Sequence, residues 1–347
     1  MHKTLKKYFP LIRERESILA EINSNKSLSK TFNSWPTDFQ NEFLDICTGT
    51  KGIKITYDSF FKEIFNAEYN APVLNAFISA LLGQEVKVLQ VLPNDGTRMA
   101  DEESLLITDI VIELEDGSIA NIEIQKIGYL FPGERAACYS ADLLLRQYKR
   151  LRDRRKKNFK YSEMRPVYTI ILFEHSPEEF HKYPHEYIHI AETKTNTGVN
   201  VNLLQKFLFV PLDIFKKLRK NKDMVNTLDA WLSFLITDEP EDIIKLIEKH
   251  PEFIPLYNVI YEMCRNMEDV MGLFSEELRI MDRNTVRFMI DEMQKELDEK
   301  TAALKDINAQ LVNKDAALAD KDAALADKDA QLAEKDALIA KLMANQQ

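Results

Sequence analysis

Two hydrophobic periods alternate along the chain. Over residues 58–82 the apolar positions Phe61, Ile64 and Phe65, then Leu74, Phe77, Ile78 and Leu81, recur at helical spacing. That spacing predicts a helix, interrupted near Pro72 and stopped by Gly83. Residues 86–92 alternate as a strand does. Residues 105–115 and 119–125 are apolar runs flanking Asp116-Gly117, which predicts a hairpin. Helical spacing returns over 133–155. Residues 166–174 (PVYTIILFE) read as a buried strand, and 187–192 and 207–211 as two more, separated by the turn-rich KTNTG. Helix, three strands, helix and strand in that order describe a mixed α/β domain rather than regular βαβ repetition.

Outside this block the pattern is helical only. Residues 1–50 form a short helical extension broken at NSNKSLSK, and residues from about 213 to 300 are amphipathic and cut at Pro240 and Pro251. The tail repeats KDAALAD at 314–320 and 321–327, followed by KDAQLAE and KDALIAK. Leu304, Leu311, Leu318, Leu325, Leu332 and Ile339 stand at sevenfold spacing. An unbroken helix there is about 65 Å long at 1.5 Å per residue. One large apolar residue per heptad, flanked by Lys and Asp, predicts a weak coiled-coil-like oligomerisation helix; a single solvated helix is the alternative.

The 347 residues carry a formal net charge of −10, which by itself speaks against a nucleic-acid partner. Resolved by segment, that objection falls. Residues 238–347 hold 25 acidic and 14 basic residues, leaving 32 basic against 31 acidic in the rest. Residues 146–160 (RQYKRLRDRRKKNFK) contain nine basic residues and one acidic, Asp153. Three cysteines far apart in sequence signal neither a zinc ribbon nor a disulfide framework and suit a cytoplasmic protein. The N-terminal MHKTLKKYFPLIRERES lacks the apolar stretch of a signal peptide, and no apolar run is long enough to span a bilayer. Glycine-rich nucleotide loops are absent.

The hairpin holds the candidate chemistry. Side chains two apart share a strand face, so Ile107, Asp109, Val111 and Glu113 alternate with Ile110, Ile112 and Leu114. Glu123 lies between Ile122 and Ile124, with Gln125 on its own face. Carboxylates within apolar strands are costly when unpaired, and two facing each other repel. A divalent cation removes both penalties, and hard oxygen ligands suit Mg2+ or Mn2+. Exposed strand ends or arginine partners are the other placements that the pattern leaves open.

YDSFFKEIF at 57–65, ITDIVIELEDGSIANIEIQ at 107–125, RAACYSADLLLRQY at 135–148 and NFKYSEMRPVYTIILFE at 158–174 together resemble the PD-(D/E)xK nuclease superfamily, in its transposase-like, recombination-promoting branch. The resemblance implies a restriction-endonuclease-like mixed sheet flanked by helices. It makes Asp109, Glu123 and Gln125 the catalytic set, with Asp109, Glu123 and the backbone carbonyl of Ile124 holding the metal. Gln125 stands where most of the superfamily has lysine. Glutamine carries no charge to stabilise a transition state, but it orients a water or a phosphate. Lys126 points to the opposite face of a regular strand and cannot replace that lysine without a bulge. Glu63 and Asp58 are possible supporting acids, Asp58 being otherwise a helix N-cap. Arg135 and Tyr139 begin a polar stripe continued by Asp142 and Arg146, opposite Leu144, Tyr148 and Leu151. The resemblance places Arg135 and Tyr139 near the catalytic side.

Arg146, Lys149, Arg150, Arg152, Arg154, Arg155, Lys156 and Lys157 are the candidate nucleic-acid contacts, at a density that neutralises several phosphates. A solvated helix end is the bland reading of the same run. Phe159 and Tyr161 are expected to pack against the following strand. His181, His185 and His189 are evenly spaced, but Pro184 argues against one metal-binding helix.

The expected divisions are an N-terminal helical extension (1–50), a nuclease-like domain (51–215), an acidic helical region (216–300) and the heptad-repeat tail (301–347). The expected function is a magnesium-dependent DNA endonuclease of the cytoplasm, tied to recombination, mobile elements or defence, with no membrane partner. The alternative is a catalytically inactive DNA-binding or assembly protein that oligomerises through its tail; RNA cleavage by the same fold also stays open. If the acidic third limits non-specific binding, truncation after about residue 237 should raise DNA affinity.

Overall fold

A computed structural model describes residues 5–92, 110–126, 133–199, 201–219 and 226–344. Residues up to Arg279 form one compact unit and residues from Ile280 a second. The first unit begins with a short 3-10 turn and three helices, α1 (Arg15–Ser24), α2 (Lys26–Ser34) and α3 (Thr37–Cys47). Asn25 opens α2 by accepting from the amides of Ser27 and Leu28, two of the donors a helix start leaves unpaired. Helices α4 (Asp58–Ile64) and α5 (Ala67–Leu82) follow. The interruption near Pro72 takes two forms: a break at Phe65 and Asn66, and a kink at Asn70, two residues before the proline. Gly83 ends α5 at φ +65, which a side chain would strain.

Six strands make one sheet: β1 (Val88–Val91), β2 (Ile110–Leu114), β3 (Ile119–Gln125), β4 (Val167–Phe173), β5 (His189–Glu192) and β6 (Gln205–Pro211). Their spatial order is β1-β2-β3-β4-β6-β5. β3, β4 and β6 are parallel neighbours, while β1 and β2 on one side and β5 on the other pair antiparallel. The hairpin loop places Gly117 at φ +83, with its amide donating to Leu114 O. Asp116 accepts from both the amide and the hydroxyl of Ser118, which closes the turn. Helix α6 (Gly133–Arg155) carries the chain from β3 to the parallel β4. A four-residue α7 (Glu178–His181) lies between β4 and β5.

Helices α8 (Leu212–Arg219), α9 (Thr227–Ile236), α10 (Pro240–Lys249), α11 (Ile254–Met263) and α12 (Met267–Ala344) complete the chain. Pro240 is the first residue of α10 rather than a break within it, because a helix start needs no amide there.

The two faces of the sheet have different covers. Ile112, Ile122, Ile170, Leu172 and Val210 join one large core with α3, α4, α5, α9, α10, α11 and the start of α12. Phe274 of α12 is fully buried there against Phe39, Phe43, Tyr57 and Phe60. Burial of such a ring stabilises by about 1.5–3 kcal/mol before the edge contacts are counted. Residues 5–50, the sheet and the helices to Phe274 thus share one core, and the sequence divisions at 50 and 215 both fall inside it.

The opposite face is covered by α6. Its buried positions are Ala136, Ser140, Leu143 and Gln147, a stripe lying between the two that the sequence suggests. Leu144, Tyr148 and Leu151 are only half-buried. In the second unit, Leu304, Leu311, Leu318, Leu325 and Leu332 are each at least 50% exposed. Among the described residues, no helix is long and apolar enough to cross a membrane.

Candidate active site

Glu123 lies in β3, hydrogen-bonded on both sides by β2 and β4, and points to the α6 face. Only 2% of it is exposed, and its Oε2 has no hydrogen-bond partner. Burial pushes its carboxyl up to about 7, while the guanidinium of Arg135 pulls the other way. The carboxyl is therefore poised to ionise near neutrality. A hard cation would match an orphaned carboxylate oxygen in this setting.

Gln125, two residues on, shares that face and is half-buried; its carbonyl accepts from Glu174 N at 2.9 Å. The β3–β4 register runs without a bulge through Gln125↔Phe173. Lys126 accordingly lies on the other side: it is ion-paired with the buried Glu277 of α12, and its ammonium sits 5.2 Å from the centre of the Tyr57 ring. It does not take the place of the family's lysine. Glu113, on the same face as Glu123 but at the other end of the hairpin, pairs with Arg150 at 3.1 Å and Gln90 at 2.7 Å. Asp109 lies outside the described residues. Among those described, no three His, Cys, Asp or Glu side chains group at metal-holding distance.

The start of α6 supplies the other site groups. Arg135 Nε donates to the Tyr139 hydroxyl at 2.7 Å, and its guanidinium lies 5.5 Å from that ring. Burial raises Tyr139, the Arg135 charge lowers it and the Glu123 carboxylate raises it, so the three groups sense one another. Glu63 of α4 hydrogen-bonds to Tyr69 and helps push that phenol up to about 12, behind burial as the main cause. Asp58 is the first residue of α4 and Tyr57 its cap, so the expected N-cap lies one residue earlier.

α6 runs antiparallel to β3 and β4. Its early Ala136 packs with Ile171 and Phe173, and its later Leu143 with Ile119 and Val167. Between these two clusters lies a band that the sequence did not single out: Ser140 of α6, Asn121 of β3 and its register partner Thr169 of β4. All three are fully buried, and the Ser140 and Thr169 hydroxyls and both amide atoms of Asn121 lack hydrogen-bond partners. The signal was present, since Asn121 is a polar residue on Glu123's face of an otherwise apolar strand.

The antiparallel course also moves the basic run. Gln147 of α6 donates to Gly117 O in the hairpin loop at 3.2 Å, at the end of the hairpin opposite Glu123. Arg135 and Gln147 are about 18 Å apart along the helix axis at 1.5 Å per residue. The cationic half of α6 is therefore remote from Glu123. Within it, Arg146 pairs with Asp142, Arg150 with Glu113 and Arg155 with Glu163. Lys149, Arg154, Lys156 and Lys157 are exposed. A cavity of about 420 Å³ opens here, between Arg150, Arg154, Arg165 and the acids Glu115, Asp116 and Glu163.

His181 closes α7, with Nε2 3.2 Å from both Ser176 Oγ and Asp213 Oδ2. His189 begins β5 and packs edge-on against Phe180 and Tyr183.

The sheet order, the helix crossing one face and the buried glutamate on the central strand belong together in one class of protein. Residues 55–301 match the model of the PD-(D/E)XK nuclease family transposases, more than half of the chain, and the protein belongs to that family. PD-(D/E)XK nucleases generally use divalent metal ions, and their substrate is DNA. No curated protein and no solved structure matches the chain.

Proposed function

We propose that this protein is a metal-dependent DNA endonuclease that hydrolyses backbone phosphodiesters, with Mg2+ or Mn2+ as its cofactor. The observation carrying the proposal is Glu123: a buried carboxylate with an orphaned oxygen, beside Arg135, on the strand where the family keeps its acid. Asp109 would be the second carboxylate, as its place in the family's motif implies. These two and the Ile124 carbonyl would hold the ion. When bound, it supplies a Lewis acid that acidifies water and offsets charge on the phosphate.

The remaining roles fall to the chain itself. The Gln125 amide would orient the attacking water or a phosphate oxygen. Arg135, held by Tyr139, would contact the phosphate under attack, since its charge already reaches Glu123. Glu63 and Asp58 would serve as supporting acids. The exposed cations of α6 would grip the backbone away from the cut. The site sits in a cytoplasmic protein acting in recombination, mobile-element movement or defence.

The test is cleavage of supercoiled plasmid with Mg2+ by the wild type, Asp109→Ala and Glu123→Ala, with folding followed by circular dichroism. Loss of cleavage in both folded variants is expected. Full activity in either would remove the assignment.

A second reading is an inactive DNA-binding or assembly protein that forms homo-oligomers through its tail. The exposed leucine stripe favours the oligomer. This reading predicts DNA binding that titrates away with salt and no cleavage under any divalent metal.

A further inference from the structure

Phe159 and Tyr161 do not pack against the following strand. They fold back onto α6 and build an aromatic cluster with Tyr148. Tyr148 and Tyr161 are stacked, with centroids 5.9 Å apart and planes 8° from parallel. Phe159 meets both edge-on, at 5.4 and 5.1 Å. The chain reverses through Lys156, whose φ of +49 lies in the left-handed region that a lysine rarely adopts.

A buried cluster would explain itself as core. This one is not buried: Tyr161 is 73% exposed, the highest value among the large apolar and aromatic side chains of the described residues. Its stack on Tyr148 covers one ring face and leaves the other to solvent. Cations flank it in sequence. Arg152 donates to the Tyr148 hydroxyl at 2.5 Å and lies 5.7 Å from that ring. Lys149, Lys156, Lys157 and Lys160 are exposed beside it in sequence, without ion-pair partners among the described residues. Among the acids, Asp153 is exposed, Glu163 is paired with Arg155, and Glu115 and Asp116 line the cavity beside Glu163.

An open aromatic face in a segment rich in exposed cations has the chemistry of single-strand recognition. The ring stacks on a base, and the ammonium groups follow the phosphates. Duplex DNA keeps its base faces covered and would use only the cations. We propose that the Tyr161 face, backed by Tyr148 and Phe159, binds an unpaired base of single-stranded DNA. This deepens the nuclease reading by naming the form of its substrate, one with a single-stranded segment. Tyr148 stands about 20 Å along α6 from Arg135, so the unpaired base would lie several nucleotides from the cleaved phosphate.

The experiment measures binding in EDTA, where no cleavage is possible, so its outcome is independent of whether Glu123 is catalytic. Fluorescence anisotropy is read with labelled twenty-residue oligo-dT and with a labelled hairpin duplex. Tyr161→Ala is expected to weaken oligo-dT binding by about tenfold and to leave the duplex within twofold. Tyr161→Phe, which keeps the ring, is expected to bind both as the wild type does. Unchanged oligo-dT binding by Tyr161→Ala, or equal losses on both ligands, would overturn the proposal.

Discussion

The ammonium of Lys126 is ion-paired with the carboxylate of Glu277, which is almost wholly buried. This contact ties the residue after β3 to the first turns of α12, 151 positions further along the chain. It also settles what Lys126 does. A charged lysine next to Gln125 invites the role of the family's missing lysine, yet its side chain is spent on a partner across the opposite face.

A buried pair is expensive to break and cheap to replace as a unit. Lys126→Met alone strands the Glu277 charge and should destabilise by about 3–5 kcal/mol. Lys126→Met combined with Glu277→Leu should return to within about 1 kcal/mol of the wild type. Urea unfolding of the four proteins measures the cycle. Additive losses would mean that the two residues do not act as a pair.

Glu123 makes stability depend on pH. Its folded carboxyl titrates at about 7 against an ordinary 4.5, so between those values the folded state holds the extra proton. Stability contributed by the protonated form is full below about 4.5 and declines as pH rises towards 7. At about 1.4 kcal/mol per unit, the decline comes to about 3 kcal/mol. In EDTA, Glu123→Gln should therefore gain on the wild type between about pH 4.5 and pH 7 and level off above that. A difference that stays flat with pH would show that the carboxyl is not raised.

Thr169 has a fully buried hydroxyl with no hydrogen-bond partner. Valine keeps the shape and removes the group that lost its water. Thr169→Val should raise stability by about 1 kcal/mol in urea unfolding. A loss of similar size would reveal a water bridging Thr169 to Asn121 or Ser140.

The truncation suggested by charge alone, after about residue 237, removes Ile243, Phe253, Tyr257 and Phe274 from the main core. That protein should lose cooperative thermal unfolding. A chain ending at Arg279 keeps the compact unit whole and should melt cooperatively. Sedimentation of that shorter chain against the full chain tests the tail: a fall in oligomeric state on removal of residues beyond 279 is expected, and equal states would leave the leucine stripe without a role.

Much of this was legible in local pattern. Alternating apolar residues around Asp116-Gly117 marked the hairpin, because strand facing and turn chemistry depend on neighbours a few positions apart. The same alternation put Glu123 and Gln125 on one face and Lys126 on the other. The family motifs pointed to the acid that the fold then buries. What sequence could not supply were relationships between distant segments. The insertion of β6 between β4 and β5, the pairing of Lys126 with Glu277, and the closure of the core by Phe274 each join residues far apart in the chain. The course of the basic run has the same origin. Composition located a basic run on α6, but only the antiparallel packing of that helix on β3 and β4 decided that its cations lie towards the hairpin loop, about 18 Å or more along the helix from Arg135. Local periodicity determines which residues form each element and which side is apolar. The direction in which an element crosses the sheet depends on the packing of all its neighbours, and that direction fixed the distance between the acid and the basic surface.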